Sequence, residues 1–302
     1  MKVDAAALLR AMPVVFVLIW STGFVVARFG MPHAPPLGFL AVRYVLSIAA
    51  FLVWVLWARA AWPRGGGQWL HLSLTGVLMH AGYLGGVWIA VKGGLGAGLA
   101  ALMVGLQPIL TALWVSATGS THRVSLRQWL GLGLGLAGLV LVLWNKLGVG
   151  EASPANVAAA TVALLSITVG TLYQKRWVRP CDVRTANTVQ LLAALAVTAP
   201  LALLEDSPVQ MHPELIGAMV WSVLVLTLGG SSLLYLLIQR GVATAVTSLM
   251  YLVPPSTALM AWALFDETLS ASVLAGLMLA AAGVALVVRP SVRPSTTPKE
   301  TP

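Results

Sequence analysis

The chain has 302 residues, 59% of them hydrophobic and 9% charged, with a mean hydropathy of +0.89. No water-soluble domain of that length hides so much apolar surface, so the solvent of this fold is lipid. The net charge of +9 is scattered over short connections, which excludes a nucleic-acid patch, and the single Cys181 excludes an intrachain disulfide or a cysteine metal cage.

A helix crosses a bilayer with about 17–25 apolar residues. That window predicts ten spans: 12–29, 36–58, 69–91, 95–117, 126–144, 154–177, 184–204, 214–239, 242–264 and 270–288. The first contains Trp20, Ser21 and Thr22 and ends at Arg28 with no small-x-small cleavage site, so it reads as an uncleaved helix rather than a signal peptide. Trp54, Trp57, Trp62 and Trp69 fall at span ends, as interface anchors do. His80 lies near the middle of the third span, with Tyr83 one turn on. In the fourth, Pro108 lacks an amide hydrogen and its ring clashes with the Val104 carbonyl, so the helix must bend or loosen there. Pro254 and Pro255 interrupt the ninth in the same way. Gly131, Gly135 and Gly138 share one face of the fifth, as Gly276, Ala280 and Gly283 do in the tenth, which is a close-packing pattern whose partner helix is left open. Residues 290–302, rich in Ser, Thr and Pro, are expected to form a disordered cytoplasmic tail.

Lysine and arginine set the orientation. With the N-terminus inside, fourteen of the 18 basic residues fall on cytoplasmic connections, only Arg28, Lys92 and Lys146 fall outside, and Arg43 lies within a span. Glu151, Glu205, Asp206, Glu214, Asp266 and Glu267 all fall on the outer side. Both termini are therefore expected in the cytoplasm.

The segment Gly94–Pro108 (GLGAGLAALMVGLQP) returns as Gly241–Pro255 (GVATAVTSLMYLVPP), an offset of 147 residues from Pro108 to Pro255. The same offset pairs Gly23 with Gly170, Arg28 with Lys175, Arg43 with Gln190, His80 with Thr227, Gly82 with Gly229 and Trp88 with Tyr235. Past the fourth span it becomes 145, pairing Gly131 and Gly138 with Gly276 and Gly283. Five spans per repeat is an odd number, so two repeats, 11–145 and 154–289, must be inverted relative to each other. Matched broken segments in the two halves point to a transporter's substrate site.

The motifs LIWSTGFVVARFG (18–30), LAVRYVLSIAAFLVW (40–54) and ALFDETLSASVLAGLMLAAAGVALVV (263–288) resemble the EamA-type branch of the drug/metabolite transporter superfamily over about residues 11–289. The resemblance implies an all-α protein of ten transmembrane helices in a bacterial inner membrane. It also implies secondary transport: similar proteins export amino acids and other metabolites, and some import vitamin- or nucleobase-like compounds. One departure is visible. The first repeat has Thr121–His122 where the second has Asp266–Glu267, so any role of that acidic pair exists only on the outer side.

Candidate substrate contacts are Trp20, Arg43, His80, Tyr83, Gln107, Thr168, Gln190, Ser231, Tyr235 and Tyr251, with Pro108, Pro254 and Pro255 as candidate hinges. Intramembrane ionisable residues are functional candidates by default. His80 is read as a substrate or proton contact, against a histidine merely bonded to a neighbouring helix. Arg43 has no intramembrane carboxylate to meet. It can snorkel outward, bond carbonyls at a helix end, or wait for a substrate carboxylate; the resemblance favours a structural role. For the polar residues, helix-to-helix bonding is the plain alternative.

Without buried acids, proton coupling would have to use His80 or charges near the mouths. The sequence lacks a GxxxxGK[ST] loop, which argues against direct ATP drive. No cofactor, metal cluster or catalytic constellation is expected, because His71, His80 and His122 belong to different depths and His33 and His212 sit in outer loops. The expected function is export of a small, partly apolar metabolite such as an amino acid or derivative by alternating access. Import of a vitamin- or nucleobase-like compound is the alternative, and a membrane-embedded enzyme or receptor a distant third. The expected partners are that small molecule and the lipid bilayer, with no nucleic acid. Oligomeric state is left open.

Overall fold

The structure, a computed structural model, describes residues 5–118, 126–147, 153–239 and 252–288. Every regular element among them is a helix. In chain order these are α1 (Ala5–Gly30), α2 (Pro36–Trp57), α3 (Gly66–Gly76, Val77–Gly82 and Tyr83–Lys92 in one run), α4 (Ala97–Val104 and Gln107–Thr118) and α5 (Leu126–Leu147). Then follow α6 (Pro154–Trp177), α7 (Val183–Ala202), α8 (Pro213–Trp221, Ser222–Ser231 and Ser232–Gln239), α9 (Val253–Phe265) and α10 (Ala271–Val288). Counting only described residues, five of them, α2, α3, α6, α7 and α8, are long and apolar enough to cross a bilayer, and the others show apolar stretches of 10–17 residues. Gly241, Leu249, Met250 and Tyr251, Thr121 and His122, and the 290–302 tail lie outside the described residues.

Hydrogen bonds between connections show which helix ends lie together. Lys92, ending α3, donates to the Met31 carbonyl just past α1 (2.7 Å), and Asn156, in the first turn of α6, donates to the Gly93 carbonyl (2.7 Å). The last turns of α1 and α3 thus share one end of the bundle with the first turn of α6. The leading helices of the two halves therefore run in opposite directions. At the other end, Gln68 donates to the Arg179 carbonyl (2.8 Å) and Thr185 to that of Ala61 (3.0 Å). We call these the Arg-poor and Arg-rich ends.

The outward surface is apolar. Val53, Leu56 and Trp57 of α2 are 68%, 76% and 84% exposed, and Leu130, Val140, Leu224 and Met278 are likewise uncovered, a surface stable only against lipid. Tryptophans mark the Arg-rich end: Trp62 and Trp69 stack at 5.8 Å, Trp69 donates to the Pro63 carbonyl (2.9 Å), and Arg184 lies over Trp54 at 5.6 Å.

The glycine stripes of α5 and α10 face each other within this one chain. A methyl group on Gly138 would fall onto the Gly276 carbonyl oxygen, and one on Gly283 onto that of Gly131. Such backbone approach supplies the dispersion contacts that replace the hydrophobic effect in lipid. Gly138→Val is expected to cost about 1–3 kcal/mol of stability through overpacking, read as a lower melting midpoint in detergent. Gly133→Ala, on a face where nothing lies within 4 Å, is the control and should leave the midpoint unchanged or slightly raised.

Candidate substrate site between the two repeats

Helices α3 and α8 each contain a stretch wound wider than an α-helix, Val77–Gly82 and Ser222–Ser231. The 147-residue offset carries the first stretch onto Leu224–Gly229, inside the second. A π turn displaces the hydrogen-bond ladder by one residue and leaves carbonyls for other donors. The His80 carbonyl takes the Tyr44 hydroxyl (2.8 Å), and that of Ser222 takes the Thr227 hydroxyl (2.8 Å). Close approach fixes α3 against the second half. A methyl group at Gly76 would collide with the Gln190 backbone of α7, and one at Gly86 with the Ala159 carbonyl of α6.

Between these helices lies a cavity lined by Trp20, Arg43, His80, Tyr83, Gln190, Ser231 and Tyr235, with Gln174 and the apolar Phe24, Met79, Leu226 and Leu234. Seven of the ten predicted contact residues are thus brought together. Gln107 is elsewhere, donating to the Thr171 hydroxyl (3.2 Å), and Thr168 returns its hydroxyl to the Leu164 carbonyl of its own helix (2.7 Å). Tyr251 lies outside the described residues. Gln174 was missed; it sits one turn beyond Gly170 on the cavity face, beside Lys175 and Arg176, where the sequence resembles a charged loop. The cavity leaves about 50 Å3 for the centres of water-sized molecules. At ~10–15 Å3 per water that is room for a few waters, so a metabolite requires the helices to part.

The polar positions repeat across the duplication. Arg43 Nε on α2 donates to Thr227 Oγ1 on α8 (3.0 Å). Gln190 on α7, the counterpart of Arg43, and His80 on α3, the counterpart of Thr227, line the same cavity. The equivalent positions carry a guanidinium in one half and an amide in the other. Arg43 is 3% exposed, so it does not snorkel, and it forms no ion pair among the described residues. The sequence holds no Asp or Glu between residues 5 and 150 or between 215 and 265. Gln190 Nε2 is buried without a hydrogen-bond partner. A buried donor lacking an acceptor is costly and calls for an explanation. One face of the cavity is aromatic: Trp20 and Tyr83 stack at 5.8 Å with their planes 2° apart.

The predicted hinges fall away from the cavity. Helix α4 is broken at Gly105–Leu106, and Pro108 sits in the first turn of its second half, where a missing amide hydrogen is harmless. Pro254 and Pro255 likewise open α9, and Pro254 packs directly on Gly105. The two interruptions abut each other.

The two ends of the bundle are tied differently. At the Arg-poor end, Glu205 accepts from the amides of Leu37 (3.1 Å) and Gly38 (2.8 Å) in the first turn of α2. Glu267 accepts from Ala97 (2.9 Å) and Gly98 (3.5 Å) at the start of α4. Both carboxylates come from the second half and cap helices of the first, where the helix dipole favours negative charge. The Arg-rich end instead has a groove of about 910 Å3 between Ala61–His71 and Arg176–Asp182. There Asp182 caps α7 through the Arg184 amide (2.9 Å), and the Arg184 side chain bonded to it holds its carboxyl below the usual carboxylate range.

The two histidines read as outer-loop residues meet at the Arg-poor end. His33 and His212 stack at 4.2 Å, and Glu214 Oε2 lies 3.0 Å from His33 Nε2, a group of three side chains of metal-ligating type. The sequence does not show this meeting, because 181 residues separate His33 from Glu214.

The EamA-like transporter family matches twice, over residues 10–144 and 155–289. The chain belongs to this family. Relatives of this EamA protein include the uncharacterized inner membrane transporter YedA of Escherichia coli, 27% identical over 84% of this chain and 81% of that one. A probable amino-acid metabolite efflux pump of Salmonella typhimurium is 25% identical, covering 89% of this chain and 90% of its own length. A solved crystal structure superposes with a TM-score of 0.67 at 20% identity, over 91% of this chain and 95% of that one, a likeness of fold alone.

The Arg43–Thr227 bond makes a stability prediction for this EamA fold. Thr227→Val leaves a buried guanidinium N–H unmet and is expected to cost about 1–3 kcal/mol. Adding Arg43→Met should recover part of that loss, a coupling visible in a double-mutant cycle of detergent melting.

Proposed function

We propose that this protein exports small metabolites, amino acids or their derivatives, across the inner membrane by alternating access. The observation that carries the proposal is the pair of donors, Arg43 and the unmet Gln190 amide, in one small cavity between the two repeats. A substrate carboxylate supplies acceptors for both, and charge-assisted contacts to a guanidinium are the stronger kind of hydrogen bond. Trp20 and Tyr83 give an apolar side chain a flat wall to lie against. The name of the Salmonella relative supports the substrate class, and that of the Escherichia coli relative the location.

The charge count puts the Arg-rich end and both termini in the cytoplasm. Substrate then enters from the groove at that end. Release requires the helix ends held by Glu205 and Glu267 to separate, a rocking of one repeat against the other about the cavity. His80, on the cavity wall with Gln190 and Arg43, is the group that would sense substrate or a proton there.

His80→Ala and Tyr83→Ala are each expected to abolish transport while surface expression is retained. Overexpression of the unaltered protein should protect cells against toxic amino-acid analogues. Normal transport by both variants would remove the site, and protection against none of the analogues would overturn the export reading.

A further inference from the structure

We infer that His33, His212 and Glu214 form a divalent-metal site, of the zinc class, that bridges the two repeats at the Arg-poor end. The three come from different halves: His33 lies in the turn after α1, while His212 precedes α8 and Glu214 is in its first turn. His33 Nε2 is 3.0 Å from Glu214 Oε2, His212 Nδ1 is 3.8 Å from the same oxygen, and all three donor atoms lie within 4.8 Å of one another. Tetrahedral zinc with bonds of about 2.0–2.1 Å needs donors roughly 3.3 Å apart, so a turn of one imidazole off the stack, with smaller shifts of the other two side chains, closes the set.

The donor chemistry fits as well. Two imidazoles and one carboxylate form a ligand set that zinc takes with water in the fourth position. Side-chain exposures of 15% for His33 and 47% for both His212 and Glu214 leave the group open to ions from solution. The loops are tied without the ion, since the Gln210 amide donates to the His33 carbonyl (2.8 Å); the imidazoles lie face to face with planes 12° apart, so one ring must turn to aim its in-plane lone pair at a shared ion. His212 Nδ1 at present accepts from the Glu214 amide at 3.3 Å. That bond is long for its kind, and a metal displaces it easily.

The site is separate from the central cavity, and metal binding by it does not rest on the proposed function. Its consequence for transport does. An ion joining the turn after α1 to the start of α8 holds the Arg-poor end shut, so zinc on that side slows any cycle that requires it to open.

The test uses tag-free, full-length protein in detergent, stripped with chelator and titrated calorimetrically with zinc chloride. One equivalent should bind with a Kd of about 1 μM or tighter. His33→Ala and His212→Ala should each weaken binding at least about tenfold, whereas His71→Ala, at the opposite end, should not. The Co2+-substituted unaltered protein should show tetrahedral visible absorption, a readout that needs no variant. No binding by the unaltered protein, or binding unchanged in His33→Ala and His212→Ala, overturns the site. Binding that leaves transport unslowed overturns only the locking consequence.

Discussion

The hydrocarbon core offers no hydrogen bonds, and the rest of this structure follows from that. Any turn of backbone that leaves the α-helical ladder must find its partners inside the protein. The chain departs from the ladder in the π turns of α3 and α8, in the break of α4 and at the proline start of α9. All face protein. The His80 carbonyl meets Tyr44, that of Ser222 meets Thr227, and Gly105 meets Pro254. Irregular backbone is therefore held against protein, within one half at the π turns and between the halves where the α4 break meets the start of α9. The cavity lies against both π turns, whose residues Met79, His80, Leu226 and Ser231 line it.

Duplication explains the geometry of the polar pairs, and divergence explains their chemistry. Arg43 and Gln190 occupy equivalent positions, as do His80 and Thr227, so one backbone arrangement built both sides of the cavity. A second arginine in place of Gln190 would put two like charges into one small low-dielectric space, which strongly disfavours ionisation of both. One guanidinium and one amide avoid that repulsion. They also break the two-fold symmetry of the duplicated scaffold at this site.

Much of the fold was legible because lipid imposes a simple length rule. The predicted 154–177 span is α6 itself, and the short helices α4 and α9 are the ones in which prolines had signalled a break. The cavity was legible where chemistry is rare inside a membrane, at Arg43, His80 and Tyr83. It was less so where only depth is known, since depth does not give the direction in which a side chain points. Gln107 follows the break in α4 and turns to Thr171, while Thr168 is satisfied by the carbonyl four residues back, as helical threonines often are. The π turns escaped because one extra residue per turn leaves no mark on an almost uniformly apolar pattern. The histidine group escaped because its members meet only through tertiary folding of loops.

The unequal ends of the bundle favour one conformation. Glu205 and Glu267 are paired by the repeat offsets with Ala58 and His122, so among the described residues the carboxylates that cap a helix of the other half lie on the Arg-poor side, while Asp182 at the Arg-rich end caps its own helix α7. A carboxylate at a helix N-terminus contributes about 0.3–1 kcal/mol when exposed and up to ~2 kcal/mol when partly buried. Two such caps favour the closed Arg-poor end by roughly 1–4 kcal/mol, and each 1.4 kcal/mol is a tenfold population ratio. That bias is large enough to set a resting state. It is also small enough for substrate contacts to reverse, because a ligand shifts such an equilibrium by its difference in affinity for the two states. Arg43 and Gln190 can supply that difference only if their contacts to substrate tighten as the caps open. In the proposed cycle, the inter-half caps and the cavity would then act as opposing weights on one motion.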